Sequence, residues 1–188
     1  MREYYKTKES VQEYIQLAKD VDSAQLIERL KTYLTPGSSL LEIGSGPGTD
    51  WNILNNDYEV IGSDFSEEFI THLKSTIPDG TFIQLDAITL ETDSKFDGIY
   101  SNKVMQHLKT EELMASISKQ TGLLEENGII CHSFWKGEGD EEFKGMYVNY
   151  HSENDIKELF AHSFEILELA SYKEFEDNDS IVVIAKKL

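Results

Sequence analysis

Three glycines at alternate positions, Gly44-Ser45-Gly46-Pro47-Gly48, follow an apolar run that contains one acid, Leu40-Leu41-Glu42-Ile43. This order reads as a strand that stops at a tight loop and turns directly into a helix. Glycine removes the Cβ, so the chain can take positive φ and a ligand can lie against bare backbone. The helix that follows would aim its unbonded N–H groups and positive end at the loop. Two further acids stand where strands should end: Asp64, 20 residues after Gly44, and Asp86. A carboxylate at Asp64 can accept from both hydroxyls of a ribose, each such bond contributing about 1.5–3 kcal/mol. Phe65 is placed to cover an adenine face. Asp86 can accept from an exocyclic adenine amine while the backbone beside it, at Ala87, meets the ring. Each has a plainer role as well: a helix cap for Asp64, a core aromatic for Phe65, a turn residue for Asp86.

The loop also constrains what sits beside the nucleoside. The dinucleotide fingerprint G-x-G-x-x-G needs glycine at position 49, where this chain has Thr49, so the series here is G-x-G-x-G. No Gly-Lys-Ser/Thr is present, which excludes a phosphate-cradling P-loop. Glu42, two residues before the first glycine, suits a cationic group better than a pyrophosphate. Together, Glu42, Asp64 and Asp86 favour a ligand carrying an ammonium and a sulfonium.

These segments must be positioned by alternating strands and helices. Strands are expected at Ser39–Ile43, Glu59–Ser63, Thr81–Leu85, Phe96–Tyr100 and Ile129–Phe134, with helices between them from about Thr49 to Asn55, around Phe69, Ile70 and Leu73, and from Leu113 through Leu124. Alternation of this kind predicts a parallel sheet with helices on both faces. A helix capped at Ser152 follows. Phe164–Ala170 and Ile181–Ala185 are then joined by an acidic turn too short for anything but an antiparallel pair. The expectation is an α/β, Rossmann-like architecture: a mostly parallel seven-stranded sheet with a C-terminal antiparallel hairpin, in one domain over 1–188. Before it, Val11, Tyr14, Ile15 and Ala18, then Leu26, Ile27, Leu30, Tyr33 and Leu34, recur at helical spacing. Residues 1–36 therefore form a helical cap, its second helix capped by Asp22 or Ser23, on a core of 37–188.

Five stretches of this chain, in order, resemble the class I S-adenosylmethionine-dependent methyltransferases. Leu41 to Gly48 resembles the motif that holds the methionine part of the cofactor, including Ser45. Ile61-Gly62-Ser63-Asp64-Phe65-Ser66 resembles the ribose-binding motif, and Asp86-Ala87 the adenine-binding one. Phe96-Asp97-Gly98-Ile99-Tyr100-Ser101-Asn102 resembles the fourth motif, and Leu123 to Ile130 the entry into the fifth strand. The resemblance implies S-adenosyl-L-methionine as cofactor, S-adenosyl-L-homocysteine as product, and in-line displacement of the sulfonium methyl by an acceptor. It places Glu42, Gly44, Ser45, Gly46, Gly48, Asp64, Phe65, Asp86, Ala87, Ser101 and Asn102 at the cofactor. Two alternatives remain open: a nicotinamide-dependent oxidoreductase, disfavoured by Thr49, and a non-catalytic S-adenosylmethionine-binding module, disfavoured by the intact loop and Asp64.

Because the methyl donor is already activated, alignment and exclusion of water supply much of the catalysis, and a base is optional. His107, after the fourth strand, is the best-placed histidine, although packing that loop is the plainer role; His132 and His151 read as structural. Tyr4, Tyr5 and Tyr14 could close the site from the cap, and the loop Trp135 to Tyr150, with Trp135, Phe143, Met146 and Tyr147, could line an acceptor pocket or act as a lid.

Charge narrows the acceptor. Residues 37–188 hold 11 basic and 29 acidic side chains and so carry the entire net charge of −18. Such a surface repels phosphate backbones and anionic lipid. The fourth strand ends in Ser101-Asn102-Lys103-Val104 without the Asn/Asp-Pro-Pro-aromatic motif of amino-methylating nucleic-acid enzymes, and Cys131 is not preceded by proline as a cytosine C5 nucleophile would be. The expected partner is a small molecule, with neither nucleic acid nor membrane. One cysteine offers no disulfide framework, and the charged opening residues and absence of long apolar runs point to a soluble, cytoplasmic chain.

Overall fold

A computed structural model describes residues 7–17, 23–143 and 145–188. Two helices, α1 (Lys8–Leu17) and α2 (Ala24–Leu30), precede the core. The core runs β1 (Ser39–Ile43), α3 (Thr49–Leu54), β2 (Glu59–Asp64), α4 (Glu67–Thr76), β3 (Thr81–Gln84), β4 (Phe96–Asn102), a 3₁₀ turn (Met105–His107), α5 (Thr110–Leu123) and β5 (Leu124–Trp135). It continues through β6 (Asp140–Phe143), β7 (Met146–Asn149), α6 (Glu153–Phe160), β8 (Phe164–Tyr172) and β9 (Ser180–Lys187). Ala18 and Asp22, expected on and before the cap helices, lie outside the described residues, as do Tyr4 and Tyr5.

The main sheet has seven strands in the order β3-β2-β1-β4-β5-β9-β8. β1 to β5 pair parallel, and β9 enters antiparallel between β5 and β8. Strand order reverses between β1 and β4, which opens a crevice above their carboxyl ends.

Both faces of the sheet are covered, so residue parity decides which layer a side chain enters. Leu41, Ile43, Ile99, Ile130, Val183 and Ala185 join the layer under α5 and α6. Leu40, Tyr100, Cys131, Val182 and Ile184 join the opposite layer, under α2, α3 and α4. Ser152 caps α6 as expected, in a reciprocal capping box with Asp155.

Three expectations are corrected. Leu124 begins β5 rather than ending the helix, and Asn127-Gly128 is an irregularity inside that strand, with Asn127 at φ 63°. The stretch from Trp135 to Tyr150 is not a plain loop: β6 and β7 form a separate antiparallel hairpin. Ser23 precedes α2 but makes no side-chain cap; its hydroxyl donates to Asp50 instead.

Candidate functional site

The glycine loop leaves β1 at the crevice and is pinned from β2. Ser63 O accepts from Gly44 N–H (2.8 Å) and Ser45 N–H (2.7 Å), while the Ser63 hydroxyl donates to Glu42 O (2.7 Å). Gly44, Gly46 and Gly48 all have positive φ, at 76°, 49° and 86°. Their surroundings differ. A Cβ on Gly44 would stand 2.4 Å from Val104 Cγ2, and one on Gly48 would stand 2.7 Å from Leu73 Cδ2. At Gly46, among the described residues, only Tyr14 Cε1 at 3.8 Å stands within 4 Å. Gly44 and Gly48 are thus required by packing, whereas Gly46 presents bare backbone to the cleft.

Asp64 ends β2 directly opposite. Its Oδ2 accepts from Gly46 N–H (3.0 Å) and its Oδ1 from Ser66 N–H (2.8 Å). The cap of α4 is Ser66, whose Oγ accepts from Phe69 N–H, so the carboxylate is not consumed as a helix cap. Burial pushes Asp64 up to about 6 against the N–H bonds that oppose it.

The cleft is a partly open depression lined by residues of the glycine loop, β2, α4 and the segment after β4. One end is apolar, formed by Phe65, Phe69, Leu85 and Ala87 beside Asp64; the other reaches Asn102, Lys103 and Val104 after β4. Tyr14 of α1 lies over the glycine loop, edge-on to Phe69 at 5.9 Å. Its phenol is pushed up to about 12 by burial and by the carboxylates Asp64, Asp50 and Glu174.

Several expected residues lie elsewhere, and strand parity explains two of them. Glu42 shares the Leu40 face, under α3; it is buried, accepts from Ser45 Oγ (2.5 Å), and does not line the cleft. Burial, then the negative charges of Asp50 and Asp64, push it up to about 8. Ser101 shares the Ile99 face and is bonded beneath the sheet to His132 Nδ1 (2.8 Å). Ser45 is buried with Glu42, and Gly48 caps α3. Asp86 accepts from Ile88 N–H (2.8 Å), a turn role, and lines an adjoining cavity with Phe65, Ala87, His107 and Tyr147. His107 lines both cavities. Its Nδ1 bonds Tyr147 O (2.7 Å), which requires the proton on Nδ1, and burial lowers its pKa. Trp135 lies beyond the cleft lining, its ring 5.8 Å from that of Phe175.

Two residues at the reactive end escaped the sequence reading. Asp50 in α3 gathers the hydroxyls of Ser23 and Tyr100 (2.7 Å) and the amide of Asn102 (3.2 Å), tying α2, α3 and β4 together. Lys103 holds φ 56° at the tip of β4. Its ammonium donates to Phe134 O (3.1 Å) and Ser180 Oγ (2.6 Å), pairs with Glu174 (3.0 Å), and lies 3.7 Å from the Trp135 ring centre. Burial lowers it to about 8, against the pull of Glu174. The available signal was a lone cation at a strand end in an acidic chain.

Fold and site together define a Rossmann-like protein with a crevice at its topological switch point. Residues 40–128 match the family model of a methyltransferase domain. A curated relative from Streptomyces venezuelae, dTDP-3-amino-3,4,6-trideoxy-alpha-D-glucopyranose N,N-dimethyltransferase, is 27% identical over 127 residues, covering 65% of this chain and 54% of the relative. The chain thus spans about half the length of that relative. Among solved structures, the 1,6-didemethyltoxoflavin-N1-methyltransferase of Burkholderia thailandensis superposes with TM-score 0.77 at 18% identity, covering 95% of this chain and 84% of that one. The magnesium protoporphyrin IX methyltransferase of Synechocystis PCC 6803 gives TM-score 0.77 at 18% identity, covering 100% and 98%. At these identities the superpositions speak for the fold. The comparisons thus give this chain a methyltransferase-domain match over residues 40–128 and the Rossmann-like fold of S-adenosylmethionine-dependent methyltransferases.

Proposed function

We propose that this chain transfers a methyl group from S-adenosyl-L-methionine to a small-molecule acceptor. The observation that carries the reading is the bare backbone of Gly46, bonded through its N–H to Asp64, on the wall of a cleft that also reaches Asn102 and Val104. Asp64 accepts from the backbone N–H groups of Gly46 and Ser66 and lines the cleft, where ribose hydroxyls would join these donors. Phe65, Leu85 and Ala87 would flank the purine, and the loop backbone would hold the aminoacyl part. The bound cofactor supplies an activated methyl on sulfur. The protein aligns the acceptor with it and excludes water, for which Tyr14 and Val104 stand over the loop.

The acceptor is a neutral or cationic small molecule. The relative from Streptomyces venezuelae is named for dimethylating an amino sugar, and both structural neighbours are named for small-molecule substrates. An amine nitrogen also agrees with the Asp50 carboxylate, which bonds Asn102 at the reactive end. In this reading His107 stands beside the purine with Phe65 and Ala87, away from the sulfonium, and is given no base role.

Calorimetry with S-adenosylmethionine and S-adenosylhomocysteine tests the reading, followed by mass-spectrometric methyl turnover across a panel of small amines and alcohols. Binding of both ligands and a mass gain on an amine are expected. Binding of NAD in their place would revive the oxidoreductase, and cofactor bound but never consumed would favour a binding module.

A further inference from the structure

Four polar side chains outside the lining of the cleft are fully buried in the layer under α5: Ser101 on β4, His132 on β5, and Ser116 and Gln120 one turn apart on α5. Buried polar groups are costly unless bonded, and apolar residues would fill this layer without that cost. Here every link is made. Ser101 Oγ meets His132 Nδ1 at 2.8 Å, and His132 Nε2 meets Gln120 Oε1 at 2.7 Å. Gln120 Nε2 donates to Ser116 Oγ at 3.2 Å, and Ser116 Oγ donates to the Ala87 carbonyl at 2.5 Å.

The chain has one consistent direction. Gln120 Oε1 can only accept, so His132 carries its proton on Nε2 and takes the Ser101 hydroxyl at Nδ1. Burial lowers the His132 pKa to about 3, so the ring stays neutral with one donor and one acceptor. Bonds aligned head to tail strengthen one another.

Both walls of the apolar end of the cleft hang from this helix turn. Ala87, on one wall, is held through its carbonyl by Ser116. Met105, two residues before His107 on the other wall, has its sulfur 3.8 Å from Ser116 Oγ and 3.9 Å from Gln120 Nε2. We propose that the Ser101–His132–Gln120–Ser116 relay sets the width of the slot between Ala87 and the His107 turn, making these four positioning residues that determine selectivity for an unsubstituted adenine ring. The inference rests on the proposed use of S-adenosylmethionine.

Removing one hydroxyl from Ser116 barely changes its volume, which makes Ser116→Ala the direct cut. Calorimetry compares S-adenosylhomocysteine with its N6-benzyl analogue on wild type, Ser116→Ala and Ser101→Ala. The wild type binds the natural ligand and discriminates against the benzyl form. Ser116→Ala is expected to bind S-adenosylhomocysteine about tenfold more weakly and to lose discrimination by a similar factor, with Ser101→Ala shifting both about threefold. Ile184→Val, buried in the opposite layer, lowers the melting temperature as a control and should leave the ratio unchanged. A ratio that stays constant in Ser116→Ala, or moves equally in Ile184→Val, overturns the proposal. Failure of the wild type to bind S-adenosylhomocysteine would overturn the functional reading beneath it.

Discussion

The two ends of the cleft are built from different materials. Around β1, β2 and β3 the groups that face a ligand are backbone N–H groups, glycines and one carboxylate, joined over short distances in the loop and strand tips. Around β4, β5 and β9 they are buried side-chain charges joined over long ones: Lys103 reaches Phe134, 31 residues on, and Ser180, 77 residues on. The first end is shaped by local backbone geometry and suits a constant ligand. The second depends on side-chain pairings, which substitution can change without unmaking the loop.

The largest expected effect separates the ends most sharply. Asp64→Ala removes both ribose acceptors and the anchor of the Gly46 N–H, so S-adenosylhomocysteine affinity should fall on the order of 100-fold or more by calorimetry. A loss below tenfold would show that the ribose is held elsewhere.

Lys103→Met addresses the other end. It strands Glu174 in a position where both partners are only 12% exposed, and it should cost about 3 kcal/mol in denaturant unfolding. Affinity for S-adenosylhomocysteine should change less than about threefold, since no Lys103 donor is free for the ligand. The double variant Lys103→Met/Glu174→Gln should regain part of the stability. A large loss of affinity in the single variant would mean that the two ends are not separable.

Within the loop, Gly44→Ala and Gly46→Ala should fail in different ways. The first drives a Cβ into Val104 and should lose about 2–4 kcal/mol of stability. The second meets only Tyr14 among the described residues and should lose about 1–2 kcal/mol from its backbone alone, while weakening S-adenosylhomocysteine on the order of tenfold. Equal effects of the two on stability and on binding would remove the distinction between packing and cradle.

The smallest effect is in pH. Glu42, pushed up to about 8, and Asp64, to about 6, keep their protons longer in the folded chain than in the unfolded one. The ligand-free protein therefore loses stability as pH rises from the ordinary carboxylate range towards 8. A cationic cofactor favours the ionised carboxylates, so the rise in melting temperature on adding S-adenosylmethionine should grow between pH 6 and 8. A shift that stays flat with pH would count against a cation in the cleft.

What could be read from the sequence divides along the same line. The glycine series and Asp64 were legible because the chemistry of that end is encoded within a few adjacent residues. Asp50, one residue past the helix start, was not, because its partners Ser23, Tyr100 and Asn102 lie 27, 50 and 52 residues away. Glu42 and Ser101 were correctly placed on strands but assigned to the cleft. Counting parity from the apolar Leu40 and Ile99 sends each into a packed layer instead. The β6–β7 hairpin was invisible for another reason: Asp140-Glu141-Glu142 has no alternating apolar pattern, so its pairing follows from the hairpin turn at Gly145, φ 78°, and from the His107 bond to Tyr147. Among the described residues no helix is long and apolar enough to cross a membrane.

A structure of the chain with S-adenosylhomocysteine would test the central claim most directly. The account places the ribose hydroxyls within about 3 Å of the two Asp64 oxygens, the purine between Ala87 and the His107 turn, and the sulfur towards Asn102 with the aminoacyl chain over Gly46. A ligand bound with Asp64 unengaged, or with its purine at the Lys103 end, would contradict it.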